Sequence, residues 1–196
     1  YNFSEEPTGV CLVFITPDGE RTMASNLSAN YKLNPQCINS ELLESCNYLL
    51  FDNFSLATDS GNKTARYCLD KIKNEVKVCF GLADSKLVSE NLDKIRDLSN
   101  KEIHCLSGNK LEHDELDKNI SLIFQNRLIS YGFNGASING IQLSAPKIKL
   151  VNTNGAGDSL IGAYIALEEE IGQEKALEEA VNYSSKVCSV NGPRLR

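Results

Sequence analysis

The chain has 196 residues, enough for one ordinary domain with a buried core, and its 41% apolar and 23% charged residues are typical of a globular protein. Its formal net charge of −6, without any block rich in lysine and arginine, argues against a nucleic-acid partner. The apolar run Val10–Ile15 is too short to cross a bilayer and follows no basic leader, so we expect neither export nor a membrane partner.

Cysteine usage indicates a reducing compartment. The seven cysteines form an odd set without a Cys-x-x-Cys pair, and most lie in apolar segments. We therefore expect reduced thiols packed as small hydrophobic groups, and a cytoplasmic location. A zinc site is not expected, because neither His104 nor His113 stands beside a cysteine cluster at ligand spacing.

The first half of the chain predicts a hairpin followed by alternating helices and strands. Residues 9–16 and 20–27 are strand-like and flank the turn signal Pro17-Asp18-Gly19. The later elements are a short helix at Ile38–Cys46, a brief buried strand at Tyr48–Phe51, a helix capped by Ser60 with Ala65, Cys68, Leu69 and Ile72 on one face, a strand at Val76–Leu82, a helix burying Val88, Leu92, Ile95 and Leu98, and a strand at Ile103–Leu106. This alternation favours a parallel sheet covered by helices.

The second half predicts more strands and two closing helices. Between Glu112 and Ser130 there is room for one short helix. The further elements are strands at 127–131, 135–139, 141–144 and 147–151 and helices at 157–170 and 174–190. Asn139-Gly140 is a strong hairpin signal. No Gly-x-Gly-x-x-Gly string occurs, which argues against a dinucleotide-binding dehydrogenase.

The segment Val151-Asn-Thr-Asn-Gly-Ala-Gly-Asp-Ser-Leu160 carries the strongest chemical signal. A strand is predicted to end at Val151, two glycines allow a tight turn, and an apolar-periodic helix begins at once. The backbone N–H groups of Gly155, Ala156 and Gly157 would then lie at a helix N-terminus, where unpaired donors and the helix dipole favour an anion. Asp158, in the first helical turn, is placed to contact a substrate hydroxyl. The alternative is an ordinary glycine loop with an acidic residue that favours the helix dipole.

The full string resembles the Asp-Thr-x-Gly-Ala-Gly-Asp motif of the PfkB, or ribokinase-like, kinases. That resemblance implies that Asp158 is a general base and that the backbone of Gly155, Ala156 and Gly157 forms an anion hole. Asn152 stands where the family motif has an aspartate that helps to bind an activating monovalent cation such as K⁺. This departure argues against cation activation here.

The resemblance extends over nearly the whole chain. Pro7–Met23 and Asn26–Asn30 look like the lid and post-lid segments of adenosine kinases and their bacterial relatives. The implied fold is α/β, a ribokinase-like three-layer α/β/α sandwich with a mostly parallel central sheet and a small β lid at 9–27, in a single kinase domain over 1–196. Arg21 falls where these kinases keep an arginine near the transferring phosphate, although a solvated hairpin charge is an equal alternative.

Two shorter motifs resemble the nucleotide site of the family. Asn109-Lys-Leu-Glu112 is similar to its Asn-x-x-Glu motif, which implies nucleotide binding by Asn109 and Mg²⁺ binding by Glu112 through water. The alternative is a helix-start asparagine with a solvated glutamate. Ser130-Tyr-Gly-Phe-Asn-Gly135 is similar to the Thr-x-Gly-x-x-Gly loop, which implies nucleotide binding by Ser130, Gly132 and Gly135. The alternative is a simple turn between strands.

Two single residues complete the implied site. Asn182 occupies a helix position where relatives line the nucleotide base pocket, and a solvent-facing asparagine is the alternative. Phe54, after a predicted strand, is placed to stack on substrate, with a buried core aromatic as the alternative.

The resemblance implies an ATP-dependent phosphotransferase that acts on a primary hydroxyl, with ATP, Mg²⁺ and a small molecule as its ligands. The lid favours a ribonucleoside, adenosine first; a sugar such as ribose or fructose is the alternative, and a non-catalytic nucleotide-binding protein is a third. Either a monomer or a homodimer is compatible. The family's Gly-Gly substrate loop and early aspartate are not in this sequence, so we expect a further upstream segment, and residues 113–129 form a shorter span than usual.

Overall fold

The structure is a computed structural model that describes residues 5–15, 21–98 and 101–195, with only the backbone of Ile15 and Arg21. It consists of two compact units, each described separately below. One comprises the described residues up to Asn47 together with Phe54–Val76, and the other comprises Tyr48–Asn53 with the described residues from Lys77 onward.

The first unit contains an antiparallel strand pair and short helices. Strands β1 (Val10–Ile15) and β2 (Arg21–Asn26) are paired along their whole length. Helices α1 (Ser40–Ser45), α2 (Asn53–Leu56, which begins in the second unit) and α3 (Asp59–Lys71) follow. The predicted hairpin strands and the short helix at Ile38–Cys46 are confirmed, while the predicted turn Pro17-Asp18-Gly19 lies outside the described residues.

Helix α3 confirms its predicted buried face but not its predicted cap. The four apolar positions at helical spacing are all buried: Ala65, Cys68, Leu69 and Ile72. Thr58 precedes the first helical residue in extended backbone, and its hydroxyl accepts the Gly61 N–H at 3.0 Å. Ser60 was the wrong prediction because it already lies within the helix, where its hydroxyl donates to the Tyr31 carbonyl instead.

The second unit is built on a six-stranded sheet. Its strands are β3 (Tyr48–Asp52), β4 (Lys77–Gly81), β5 (Ile103–Asn109), β6 (Phe124–Ser130), β7 (Ala136–Ile138) and β8 (Ile141–Leu143), in that spatial order. The first four run parallel, and β7 and β8 are antiparallel to their neighbours. The predicted parallel sheet is therefore confirmed. Strand β3 is half-buried rather than buried as predicted, because it lies at an edge of the sheet, where the Leu50 side chain is 44% exposed.

The remaining α-helices that the structure describes lie in the second unit: α4 (Ser85–Glu90), α5 (Leu92–Leu98), α6 (Lys110–Asn119), α7 (Ala156–Ile171) and α8 (Gln173–Cys188). The single helix predicted across residues 88–98 is divided at Asn91. Its buried side-chain amide donates to Asn53 Oδ1 at 3.0 Å, a contact that helical periodicity does not reveal. None of the described helices combines the length and hydropathy needed to span a bilayer.

Helices cover both faces of this sheet. Cys105 and Leu128 belong to a buried cluster that includes Tyr164 of α7 and Leu177 of α8. Successive strand residues point to opposite faces, so Arg127 faces away from this cluster, toward α6. The predicted three-layer α/β/α arrangement with a mostly parallel central sheet is therefore confirmed.

A buried histidine joins α6 to β6. His113 is fully buried, its Nε2 donates to the Leu128 carbonyl at 3.2 Å, and its Nδ1 accepts from Arg127 Nε at 3.1 Å. Arg127 in turn contacts Asp117 at 2.5 Å. Burial lowers the pKa of His113 to about 4; the hydrogen bond to Leu128 opposes this shift, and the charge of Arg127 adds to it. The ring is therefore neutral in the folded protein.

We expect this histidine to make the fold sensitive to acid. The unfolded chain takes up a proton near its ordinary pKa of about 6.5, whereas the folded protein does so only near 4. The stabilisation is complete above pH about 6.5, and roughly 3 kcal/mol is lost as the pH falls to about 4. Urea unfolding at pH about 7 and about 4.5 measures this, with His113→Gln expected to lose less stability between them. Equal losses in the two proteins would contradict the assignment.

Candidate active site

The Gly-Ala-Gly segment forms the start of α7 but does not follow a strand directly. The strand predicted at 147–151 is wrong: residues 144–153 have no regular secondary structure, and Ile148 and Leu150 are exposed. The N–H groups of Val151 and Asn152 donate to the Cys188 carbonyl, at 2.9 and 3.3 Å. This segment is therefore attached to the end of α8 instead of to the sheet.

Contacts from α8 and the residues after it hold the start of α7 in place. The Asn152 side chain accepts the Asn154 N–H at 2.9 Å and donates to the Val190 carbonyl at 2.6 Å. Ser184 of α8 donates to the Ala156 carbonyl at 2.8 Å. A carboxylate at position 152 could not make the bond to Val190, so the asparagine has its own structural role in this protein.

Gly155 is required by the backbone at the N-terminus of α7. Its φ of +74° lies in the left-handed region, and an added Cβ would overlap the backbone of Pro193. Gly157, by contrast, is helical and has open space at its Cβ position.

The amides of the turn are only partly used by the protein. The Ala156 N–H donates to the Thr153 carbonyl at 3.3 Å, a long bond. Among the described residues, no acceptor pairs with the N–H of Gly155 or of Gly157. Two of the three predicted donors are thus available to an anion at the positive end of a helix of sixteen residues.

Asp158 is exposed in the first turn of the same helix. It forms no salt bridge with any residue in the described part of the chain. An unpaired carboxylate therefore lies within one helical turn of the two available amides. A base beside an anion site is the arrangement that activation of a hydroxyl for attack on a phosphate needs.

Asn109 and Glu112 form a capping box at the start of α6. The Asn109 Oδ1 accepts a hydrogen bond from the Glu112 N–H at 3.0 Å. In return, the Glu112 carboxylate accepts the backbone N–H of Asn109 at 2.8 Å and the side-chain amide of Asn109 at 2.6 Å. Burial is the largest cause of a raised Glu112 pKa; the Asn109 N–H opposes the shift, and the charge of Asp84 adds to it. Glu112 is only 6% exposed, so the alternative of a solvated glutamate is wrong, although the helix-start role of Asn109 is real.

The Ser130–Gly135 loop lies beside this capping box. Ser130 pairs with Asn109 in the parallel register of β5 and β6, so both residues lie at the carboxyl edge of the sheet. Gly132 and Gly135 have φ values of +60° and +94° and enclose a short 3-10 turn that leads into β7. An added Cβ at Gly135 would overlap Leu143. The loop is a turn between strands at a sheet edge where ligands commonly bind, and nucleotide binding by it stays a prediction.

The remaining predicted residues are not brought to this group by the described geometry. Asn182 is half-buried on α8. Phe54 is 57% exposed, so it is not the buried core aromatic of the alternative, and it belongs to the other unit. The side chain of Arg21 lies outside the described residues. Sequence reasoning missed the contacts from Ser184, Val190 and Pro193, for which no local sequence signal exists.

A family model described as "pfkB family carbohydrate kinase" matches residues 2–195. The chain belongs to the pfkB family. This membership agrees with the Gly-Ala-Gly-Asp segment at the start of α7.

Solved structures with a similar fold carry kinase names of different kinds. A probable sugar kinase from Rhizobium etli CFN 42 has a TM-score of 0.84 and 20% identity, over 96% of this chain and 62% of that one. An E. coli protein provisionally classified as ribokinase II, in complex with ATP and Mg²⁺, has a TM-score of 0.84 and 18% identity, over 96% of this chain and 67% of that one. Adenosine kinase from Sinorhizobium meliloti has a TM-score of 0.82 and 18% identity, over 96% of this chain and 63% of that one.

These structural likenesses establish the ribokinase-like fold and no more, because folds of this kind host several substrates. The present chain also spans only about two thirds of the length of each of these three proteins.

Proposed function

We propose that the protein is an ATP-dependent phosphotransferase that moves the γ-phosphoryl group of ATP to a primary hydroxyl of a ribonucleoside, adenosine first. The observation that carries the proposal is the exposed carboxylate of Asp158, which forms no ion pair within the described ranges, in the same helical turn as the available amides of Gly155 and Gly157. Family membership and the ATP and Mg²⁺ bound by one structural relative support the reaction class.

In the proposed reaction Asp158 accepts the proton of the substrate hydroxyl while the oxygen of that hydroxyl attacks the γ-phosphorus of ATP. The bond between that phosphorus and the bridging oxygen breaks, and ADP leaves. The free N–H groups of Gly155 and Gly157 donate to the phosphoryl oxygens and stabilise their charge. Phosphoryl transfer asks a protein mainly for positioning and electrostatic stabilisation, and a turn fixed by α8 provides both.

Magnesium, in this proposal, is held largely by phosphates and water. No group of three or more histidine, cysteine or acidic side chains among the described residues is arranged to hold a metal. Mg²⁺ needs only one or two carboxylates when phosphates and water complete its shell. The two Glu112 oxygens each accept one bond from Asn109, which leaves lone pairs for water. The ion would neutralise phosphate charge, and Glu112 would hold it through water.

The nucleotide is proposed to lie along the carboxyl edge of the sheet. The register of Asn109 with Ser130 supports this, and Gly132, Gly135 and Asn182 are assigned to the same role. Phe54 is proposed to contact the acceptor, Arg21 the transferring phosphate, and strands β1 and β2 to form the lid at 9–27. Seven free cysteines are compatible with the proposed cytoplasmic location.

A sugar acceptor such as ribose or fructose is the second candidate. This candidate is supported by the family description, which names carbohydrate kinases, and by the structural relative that is a probable sugar kinase. The relative that is an adenosine kinase supports a nucleoside acceptor instead. Monovalent-cation activation is not part of either proposal, because the Asn152 amide already occupies the Val190 carbonyl.

A coupled assay of ADP release tests the proposal, with ATP and a panel of adenosine, other nucleosides, ribose and fructose. We expect turnover with adenosine to exceed that with any other acceptor. Product formed only with a sugar would contradict the nucleoside assignment and favour the second candidate. Calorimetric binding of ATP without turnover on any acceptor would instead indicate a non-catalytic member of the family.

A further inference from the structure

A buried carboxylate on α7 contacts three neighbouring strands of the sheet. The side chain of Glu168 is 5% exposed, and its Oε1 accepts the Tyr48 hydroxyl of β3 at 3.2 Å. The same oxygen is hydrogen-bonded to Nε2 of His104 on β5 and lies 3.8 Å from Nζ of Lys77 on β4. One helix side chain is thus joined to three parallel strands by polar contacts.

An irregularity in β5 delivers His104 to this carboxylate. Val78 pairs with Ile103 and Cys79 with Cys105, so His104 is the extra residue of a β-bulge. Bulges redirect the side chain of the extra residue, and here the ring reaches α7. Its other nitrogen, Nδ1, is 2.8 Å from Gln125 Oε1 on β6, which extends the network to a fourth strand.

The Tyr48 hydroxyl keeps its proton well above neutral pH. Burial, followed by the negative charge of Glu168, raises the pKa of Tyr48 to about 12. At neutral pH the hydroxyl is therefore able to donate to Glu168, as it does in the structure. A second acidic residue of α7, Glu169, bonds Lys77 at 2.7 Å but has a side chain that is 63% exposed.

Glu168 lies far from the proposed chemistry but on the same rigid helix. Ten residues separate it from Asp158, which is about 15 Å along a helix. Tyr48 and Lys77 are the first residues of β3 and β4, so Glu168 meets the amino edge of the sheet. Between Asp158 and Glu168, apolar side chains of α7 pack against the sheet, and such packing has no directional preference. Hydrogen bonds are directional, so those of Glu168 can fix the position of α7 along its own axis relative to the sheet.

We propose that Glu168 is a positioning residue, whose contacts with Tyr48, Lys77 and His104 set the axial position of α7 and so the location of the Gly155 and Gly157 amides and the Asp158 carboxylate. This inference rests on the proposed function. Burial of an ionic group costs desolvation free energy, and apolar residues of similar volume stabilise a core as well or better. The directional bonds of Glu168 to three strands provide what apolar residues cannot.

Kinetics of Glu168→Gln test the proposal, with Glu169→Gln as the matched control on the same helix and the same lysine. We expect Glu168→Gln to lower kcat on the order of 10–100-fold while KM for ATP and acceptor stays within about threefold, since small displacements of reacting groups cost rate. Glu169→Gln should change both by less than about twofold. An unchanged kcat in Glu168→Gln, or a loss confined to KM, would overturn the proposal.

An apolar replacement separates positioning from stability. The double variant His104→Leu, Glu168→Leu should keep a Tm near that of the wild type, because packed apolar groups of similar volume can replace a buried polar pair. Its kcat should stay low, because the directional contacts are gone. Recovery of wild-type kcat along with Tm would show that the network only stabilises the fold.

Amide NMR shifts test the positioning role of Glu168 even if no acceptor is phosphorylated. In the protein without nucleotide, we expect the ¹H–¹⁵N resonances of Gly155 and Gly157 to move in Glu168→Gln and to stay in place in Glu169→Gln. Resonances that stay in place in both variants would overturn the positioning role. A wild-type protein without kinase activity would count against the proposed function alone, because the shift comparison does not depend on turnover.

Discussion

Replacement of Asp158 by asparagine is expected to reduce kcat by about 10²–10⁴-fold while the protein folds normally, since general-base catalysis is worth that much. Asparagine matches aspartate in size but cannot accept the hydroxyl proton. The side chain is exposed and forms no ion pair with the described residues, so its replacement breaks no ion pair in that part of the fold. Turnover with the preferred acceptor, together with a thermal melt, measures the two expectations.

Glu170→Gln is the matched control for Asp158→Asn. Glu170 is also an exposed acidic residue of α7, but it lies near the opposite end of the helix from the Gly-Ala-Gly turn. We expect its kcat and Tm to remain close to those of the wild type, as is usual for surface substitutions. Near wild-type turnover in Asp158→Asn would remove the base from the proposed mechanism, whatever the control shows.

Gly155→Ala is expected to damage both stability and activity. The φ of +74° costs a residue with a Cβ about 1–2 kcal/mol, and the new methyl group must also displace the backbone of Pro193. Movement of that turn shifts the two available amides, so the apparent affinity for ATP and kcat should both fall. A lower free energy of unfolding in urea and a weaker kcat/KM for ATP are the measurements.

Gly162→Ala provides the control within the same helix. Gly162 is in the interior of α7 with open space at its Cβ position, so alanine should be neutral or stabilise the helix by up to about 1 kcal/mol. If Gly155→Ala folds and turns over like Gly162→Ala, the left-handed turn has no part in phosphate binding.

Local sequence signals predicted most of the elements correctly. Asn139-Gly140 predicted a hairpin, and both residues have the positive φ values, +49° and +89°, that a two-residue turn between β7 and β8 requires. The Gly-Ala-Gly-Asp string predicted the start of α7 within one residue. Such signals succeed because the turn and the helix start are decided by the backbone preferences of a few adjacent residues.

Elements that depend on distant partners were predicted less well. The alternating residues of 147–151 have the pattern of a strand, yet Val151 hydrogen-bonds to the end of α8. The apolar spacing of 88–98 is that of one helix, yet Asn91 divides it through its bond to Asn53. A periodic pattern indicates which side chains face the interior. It does not indicate which distant groups will form hydrogen bonds with the backbone or with a side-chain amide of the same segment.

The sequence by itself determined the α/β alternation, the glycine turn and the acidic residue that follows it, because each depends on neighbours a few residues away. The parallel sheet followed from that alternation, because a helix between two strands returns the chain to the same end of the sheet. Only the tertiary structure decided that Ser184 and Pro193 hold that turn, that Glu112 is buried against Asn109, and that a bulge turns His104 toward Glu168. Glu168 and its partners are separated by 64 residues or more, and a contact over such a distance exists only once the chain has folded.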